Sequence, residues 1–285
     1  MIVSFCGGVV TVAVTVAVAA AAALVLTSRR RRRQCGDAHC RRRALGSSKL
    51  LTTVLGQGGA PLGDLYEHIS DKQALETLEV ALAEGIGFFD TSPWYGVGLS
   101  EARFGLALHR APRNMFTIQT KVGRFLVPDA NAVNGTAVGW MGGYHFGVRF
   151  CYTADAFERQ LQDSLQRTGL GRIESLVIHD LEPTCHRDPE RGFDGVETAR
   201  AYLEELKTSG FAALQRMRAA GTIQAFGAGV NSDEDGEDPE TKRAWNQAYV
   251  RELLALPQTN GLGLRGIDFL LCANLYSLLN HEAHE

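Results

Sequence analysis

Four side chains stand at or just beyond the ends of short apolar runs, and together they could carry a proton to and from an oxygen. Asp90 closes the run Gly87-Phe88-Phe89-Asp90, Tyr95 follows five residues later, Lys121 ends the run from Phe116, and His179 ends the run from Ser175. A phenol, with a pKa of about 10, is a poor base at neutral pH unless a cation beside it favours the phenolate. Lys121 supplies such a charge, Asp90 can hold Lys121 by a charge-assisted bond, and His179 can hydrogen-bond the reacting oxygen and fix its direction. No metal is required. Singly, each residue has a plainer use: Asp90 capping a turn, Tyr95 packed on Trp94, Lys121 in solvent and His179 as a satisfied core residue. They do chemistry only if the fold brings them to one place.

The elements that would do so are legible as an alternation. Leu50 to Leu55, Ile86 to Asp90, Phe116 to Lys121, Ser175 to His179, Ile223 to Gly229 and Ile267 to Ala273 are short and nearly all apolar, and read as strands. Between them lie helical patterns. One starts at the capping box Ser70-Asp71-Lys72-Gln73 and stops at Gly85; Ser100 to His109 is a second. Thr153 caps a third with Phe157, Leu161 and Leu165 on one face. Leu214 and Met217 sit in a helix closed by Gly221, and Trp245, Tyr249 and Leu253 mark a further one. Such βα units predict a parallel sheet covered by helices, either doubly wound or an eight-fold barrel. The glycine run Gly56-Gln57-Gly58-Gly59-Ala60-Pro61-Leu62-Gly63 misplaces the third Gly of a dinucleotide fingerprint and puts Pro61 in the way of a helix start, which disfavours the doubly wound fold. In a barrel, catalytic residues lie at the carboxyl ends of strands, where these four stand.

In their local sequences the four resemble the tetrad of the aldo-keto reductase superfamily. Gly87-Phe88-Phe89-Asp90-Thr91-Ser92-Pro93-Trp94-Tyr95-Gly96, continuing to Leu99-Ser100-Glu101 and Gly105, is similar to that family's Asp-and-Tyr motif. Ser164-Leu165-Gln166-Arg167 followed by Leu176-Val177-Ile178-His179-Asp180 resembles its helix-then-His motif, and Gly227-Ala228-Gly229-Val230-Asn231 its cofactor-amide strand. Gly58 to Gly63 and the ending Leu275-Tyr276-Ser277-Leu278-Leu279 look like the branch of aldose (fucose, arabinose, galactose) and pyridoxal dehydrogenases.

The resemblance implies a (β/α)8 TIM barrel and an NAD(P)-dependent hydride transfer between nicotinamide and a carbonyl or cyclic hemiacetal, an aldose or pyridoxal going to its lactone. It implies Tyr95 as acid/base, Lys121 and Asp90 tuning it, and His179 orienting the substrate. Asn231, with Asp90 and Gly58, is assigned to the cofactor and Trp94 and Trp140 to the substrate. Residues 124–150 form a Gly- and aromatic-rich stretch with Trp140, Tyr144 and Phe146, suited either to cover a sugar or pyridine ring or to ordinary surface packing. Cys151-Tyr152 stands where relatives usually have Asp-Tyr, a change the sequence does not explain.

Composition bounds the rest. At 285 residues, 45% hydrophobic and 21% charged, the chain has the make-up of a globular protein with a sizeable core. The net charge of −3 is uneven: residues 1–43 hold eight Arg against one acid, leaving residues 44–285 with 21 basic and 31 acidic residues, a balance that argues against nucleic acid as partner. Six scattered Cys read as small buried hydrophobes, and Cys35, His39 and Cys40 lack a fourth ligand for a metal.

Ile2 to Ser28 carry no charge and are long enough as a helix to span a bilayer, with Arg29 to Arg33 following at once. Residues 1–28 therefore read as a single-pass anchor with the body cytoplasmic; an organelle leader (plastid or mitochondrion) and a mistaken start codon are the alternatives. Glycan on Asn134-Gly135-Thr136 would place the body in a lumen instead. Residues 29–48 read as an Arg-rich linker that ends in Ala-Leu-Gly-Ser-Ser at 44–48, and 49–285 as the oxidoreductase domain. Only six βα-type strands are counted where the family's barrel has eight, so the sequence reads as carboxyl-terminally truncated, with weak dinucleotide binding expected. A second reading, a catalytically weak, membrane-tethered redox-sensing or regulatory subunit, keeps the fold without full cofactor binding.

Overall fold

The computed structural model describes residues 41–132, 135, 139–186, 195–231, 239–256 and 266–273. The anchor at 2–28, Cys35, His39 and Cys40, Asn134 and Thr136 of the sequon and the 275–279 motif lie outside the described residues. No helix among the described residues is long and apolar enough to cross a membrane.

Ten strands are described: β1 (Arg42–Ala44), β2 (Leu51–Thr53), β3 (Gly56–Gly58), β4 (Phe88–Asp90), β5 (Thr117–Val122), β6 (Arg124–Pro128), β7 (Phe146–Phe150), β8 (Ser175–Ile178), β9 (Ala225–Asn231) and β10 (Phe269–Ala273). Helices α1 (Asp71–Ala83), α2 (Leu99–Leu108), α3 (Ala154–Thr168), α4 (Pro183–His186), α5 (Gly195–Glu205), α6 (Phe211–Ala219) and α7 (Pro239–Ala255) run between them, with a π-helical turn at Leu206–Gly210 joining α5 to α6. Six strands form one parallel sheet in the spatial order β3-β4-β5-β8-β9-β10. Every step goes the same way. A doubly wound sheet reverses direction at its switch point, whereas unidirectional winding curls the sheet into an arc of a (β/α)8 barrel.

The helices form for the reasons their ends state. Ser70 Oγ accepts from Gln73 N at 3.2 Å to open α1, and Gly85, at φ +90°, turns the chain out of it. Thr153 Oγ1 accepts from Ala156 N at 3.4 Å to open α3. The buried faces of α1 (Ala74, Leu78, Ala81) and α3 (Phe157, Leu161) share a core with Phe89, Phe104, Ile118 and Leu176. All six residues of β5 are buried, Lys121 among them.

Three expectations are corrected. The first strand of the parallel sheet is β3, not the apolar run Leu50 to Leu55, half of which pairs antiparallel with β1 as β2. Residues 44–48 do not form an open linker: Leu45 N donates to Leu50 O and Ser47 N to Asp268 O, so the segment is the turn of a hairpin pinned to the residue before β10. Of the cysteines, Cys151, Cys185 and Cys272 are half-buried rather than buried.

Candidate active site

The carboxyl ends of β4, β5 and β8 bring Asp90, Tyr95, Lys121 and His179 together. Lys121 Nζ donates to Asp90 Oδ1 at 2.8 Å, to Asp90 Oδ2 at 2.7 Å and to the Thr91 carbonyl at 3.0 Å. Gln119, two residues earlier on β5, donates to the same Asp90 Oδ1 at 2.7 Å. The ammonium lies 4.6 Å from the centroid of the Tyr95 ring, and the His179 imidazole meets that ring edge-on at 6.0 Å. Of the plainer uses, solvation of Lys121 is overturned: the residue is 2% exposed.

Burial raises the Tyr95 phenol above its ordinary value of 10, and Lys121 opposes that rise by charge and hydrogen bonding. Burial alone would lower the Lys121 ammonium, but Asp90 and Tyr95 more than offset it, so it stays charged. His179 is pushed down to about 3, chiefly by burial and further by Lys121 and Arg124, against the pull of Asp180. It is a neutral imidazole at physiological pH. Its tautomer follows from its neighbours: Nε2 lies 3.4 Å from Asp180 Oδ1, an oxygen that can only accept, and so carries the proton. Nδ1 then accepts from the Ser92 hydroxyl at 3.3 Å, whose oxygen in turn accepts from Trp94 N at 3.1 Å.

Sequence reasoning missed a second row behind these four. Arg124, at the start of β6, pairs with Asp180 Oδ2 at 2.7 Å and lies over the Trp94 and Phe150 rings at 4.1 and 4.6 Å. Asp180 adopts the left-handed conformation, φ +50°. Tyr152, beside the unexplained Cys151, donates its hydroxyl to the His179 carbonyl at 2.8 Å and so fixes the end of β8 from below. Asp180 and Tyr152 stand in stretches that the sequence singles out, but their roles rest on contacts with Arg124 and the His179 carbonyl that no local pattern predicts.

The residues assigned to cofactor and substrate fall around the same mouth. Asn231 ends β9; its Nδ2 donates to Glu182 Oε1 at 3.0 Å and Asp180 Oδ1 at 3.4 Å, and its Oδ1 has no partner among the described residues. Gly58 ends β3 in register with Asp90, and a Cβ there would meet nothing within 4 Å. The 124–150 stretch is a hairpin, β6 paired with β7, whose connection carries Trp140 onto Trp94 (5.6 Å) and Tyr95 (5.9 Å). That connection is docked through Met141 N to Asp64 O at 2.9 Å and Tyr144 N to Gly96 O at 3.0 Å. Trp140 is 4% exposed and its indole Nε1 is buried without a hydrogen-bond partner.

A unidirectional parallel sheet with a phenol, a buried ammonium–carboxylate pair and a neutral imidazole at its carboxyl edge defines a protein of the (β/α)8-barrel class. Residues 54–235 match the model of the Aldo/keto reductase family, more than half of the chain, and the protein belongs to that family. It is 37% identical over 198 residues to pyridoxal 4-dehydrogenase of Microbacterium luteolum (67% of this chain, 55% of the relative). It is 32% identical over 190 residues to D-threo-aldose 1-dehydrogenase of a Pseudomonas species (65% and 52%) and 32% over 142 residues to L-galactose dehydrogenase of Arabidopsis thaliana (49% and 38%). The chain thus spans about half the length, or less, of these curated relatives.

Proposed function

We propose that the protein is an NAD- or NADP-dependent oxidoreductase that moves a hydride between the nicotinamide and a carbonyl or cyclic hemiacetal carbon, with Tyr95 as the proton acid/base. The observation that carries this reading is the placement of Lys121, two of whose bonds go to Asp90 at 2.7 and 2.8 Å while it lies 4.6 Å from the Tyr95 ring. A buried cation whose charge is held in place by a carboxylate and presented to a phenol suits proton transfer at that phenol. The names of the relatives, a pyridoxal and two sugar dehydrogenases, support an aldose or pyridoxal as substrate.

The residues fit a nicotinamide. Asn231 Oδ1 can accept from its carboxamide, and Gly58 leaves the adjoining strand end open. When bound, the cofactor supplies the hydride acceptor or donor. The chain's own part is proton handling and orientation. In the oxidative direction the hydroxyl on the reacting carbon gives its proton to the Tyr95 oxygen as the carbon–hydrogen bond breaks and the C=O bond forms. His179 Nε2–H donates to that same oxygen, and Trp94 and Trp140 wall the ring and exclude water.

The test is reduction of NAD⁺ and NADP⁺, followed by absorbance, with a panel of aldoses and pyridoxal. Tyr95→Phe should lower kcat about 10²- to 10⁴-fold while the fold persists. Equal rates for the two proteins would remove Tyr95 from the chemistry.

A further inference from the structure

Asp180 is not explained by its pairing with Arg124. Its Oδ2 is satisfied by that guanidinium at 2.7 Å, but among the described residues its Oδ1 makes two long contacts, to His179 Nε2 and to Asn231 Nδ2, each at 3.4 Å. Charge-assisted bonds are ordinarily about 2.7 to 2.9 Å long, so this oxygen is under-satisfied. The Asp180 side chain keeps 11% of its surface accessible, beside His179 Nε2, the nitrogen assigned above to the substrate oxygen. Its carboxylate stays ionised: burial would raise it, but His179, Arg124, Asn231 and Lys121 together hold it below its usual range. The left-handed backbone at φ +50° is a conformation a non-glycine residue seldom adopts, and such residues gather at functional sites.

Resting on the oxidoreductase reading above, we propose that Asp180 reads the substrate: it accepts a hydrogen bond from a hydroxyl on the carbon next to the reacting one, and so selects 2-hydroxy aldehydes and their cyclic hemiacetals. An ionised carboxylate is an acceptor only. It rewards a donor at that position, gives nothing to a C–H, and repels a neighbouring anion. Asp180 Oδ1 lies 3.4 Å from His179 Nε2, so when Nε2–H holds a substrate oxygen a hydroxyl on the neighbouring carbon is within reach of that carboxylate. Arg124 holds the carboxylate in this pose and, by lying 4.1 Å over the Trp94 ring, ties the reader to the wall of the pocket.

The experiment compares kcat/KM of the full chain for sugars differing only at that hydroxyl: D- and L-arabinose against the 2-deoxyriboses, and D- and L-galactose against the 2-deoxygalactoses, with pyridoxal alongside and both cofactors. For the hand of sugar that is oxidised, the hydroxylated member should be preferred about 10- to 100-fold, the loss expected for one bond to a charged group. Asp180→Asn should shrink that ratio to about threefold or less, and the charge-neutral double variant Asp180→Leu with Arg124→Met, which leaves no guanidinium unpaired, should do the same. A purely structural role would lower both rates and leave their ratio unchanged. No preference in the wild type, or an undiminished preference in both variants, overturns the role of Asp180 alone. Absence of turnover for every sugar and pyridoxal overturns the oxidoreductase reading and this inference with it.

Discussion

Tyr95 and Lys121 pull on the same proton from opposite sides. Burial, with Asp90 and Asp180, raises the phenol above 10, and only Lys121 works against that. The phenol is therefore protonated at neutral pH, ready to donate in carbonyl reduction, while hemiacetal oxidation needs the scarce phenolate. Oxidation should climb with pH from 7 to 9, approaching about tenfold per unit, while reduction stays flat over that range. Lys121→Met removes the opposing charge, so its oxidative profile should shift to higher pH; a profile unmoved by that change would mean another group takes the proton. Ser92 acts one bond further out. With Ser92→Ala, His179 Nδ1 loses its donor and the Nε2–H tautomer its support, so kcat should fall about tenfold with the pH profile kept, and Ser92→Thr should restore it. The tetrad was legible because Asp90, Tyr95, Lys121 and His179 each end or follow an apolar run. The contacts of Ser92, Arg124 and Asp180 were not, although Ser92 and Asp180 lie within the quoted motifs: the Ser92–His179 contact joins residues 87 apart and nothing local marks it.

The catalytic distances are set by how α2 is fixed. This helix begins four residues after Tyr95, and its buried Glu101 accepts from Thr120 Oγ1 at 2.7 Å, beside Lys121, and from Arg167 of α3. One carboxylate thus ties the phenol's helix to the strand that bears the ammonium. Further along, Gly105 lies against the Thr168 carbonyl at the end of α3, where a Cβ would overlap backbone. Gly105→Ala should therefore destabilise the protein by about 1 to 3 kcal/mol, seen as a lower urea midpoint, and should lower kcat because α2 must move away from α3. An unchanged midpoint would show that the two helices are free to separate. At this scale the sequence spoke where physics is local. Ser70 and Thr153 announce their helices because a side-chain oxygen three residues before an amide is a complete cap. β3 was misplaced because Gly56-Gln57-Gly58 has no strand propensity of its own and is a strand only by pairing with β4. The β6–β7 hairpin was hidden for the same reason: its strands are joined by residues 129–145, far longer than a turn whose residues would specify it.

Across the molecule, the same polar groups that build the mouth make stability depend on pH. His179 is held near 3 and His186 near 4, burial being the first cause for each, against about 6.5 in an unfolded chain. Folded values below unfolded ones mean that the unfolded chain takes up protons the folded one refuses. Their stabilising contribution is therefore complete above about pH 6.5 and is lost as pH falls toward 4, by up to about 1.4 kcal/mol per unit for each histidine. Asp180, also depressed, adds a second loss that begins as pH falls into the ordinary carboxyl range and continues below it. His186 offers the clean test. Its ring lies 4.4 Å from Phe150 and 4.9 Å from Tyr202, and among the described residues its two buried nitrogens meet only a weak hydrogen bond with the Asp180 backbone, so it behaves largely as an aromatic core residue that carries two poorly satisfied polar atoms. His186→Phe should raise stability at pH 7 by about 1 kcal/mol and reduce the slope between pH 6.5 and 4.5 by about 1.4 kcal/mol per unit, measured as urea unfolding free energy across that range. If the slope is the same in the variant, His186 is protonated in the folded protein and the aromatic cluster around it is more open to water than its packing indicates.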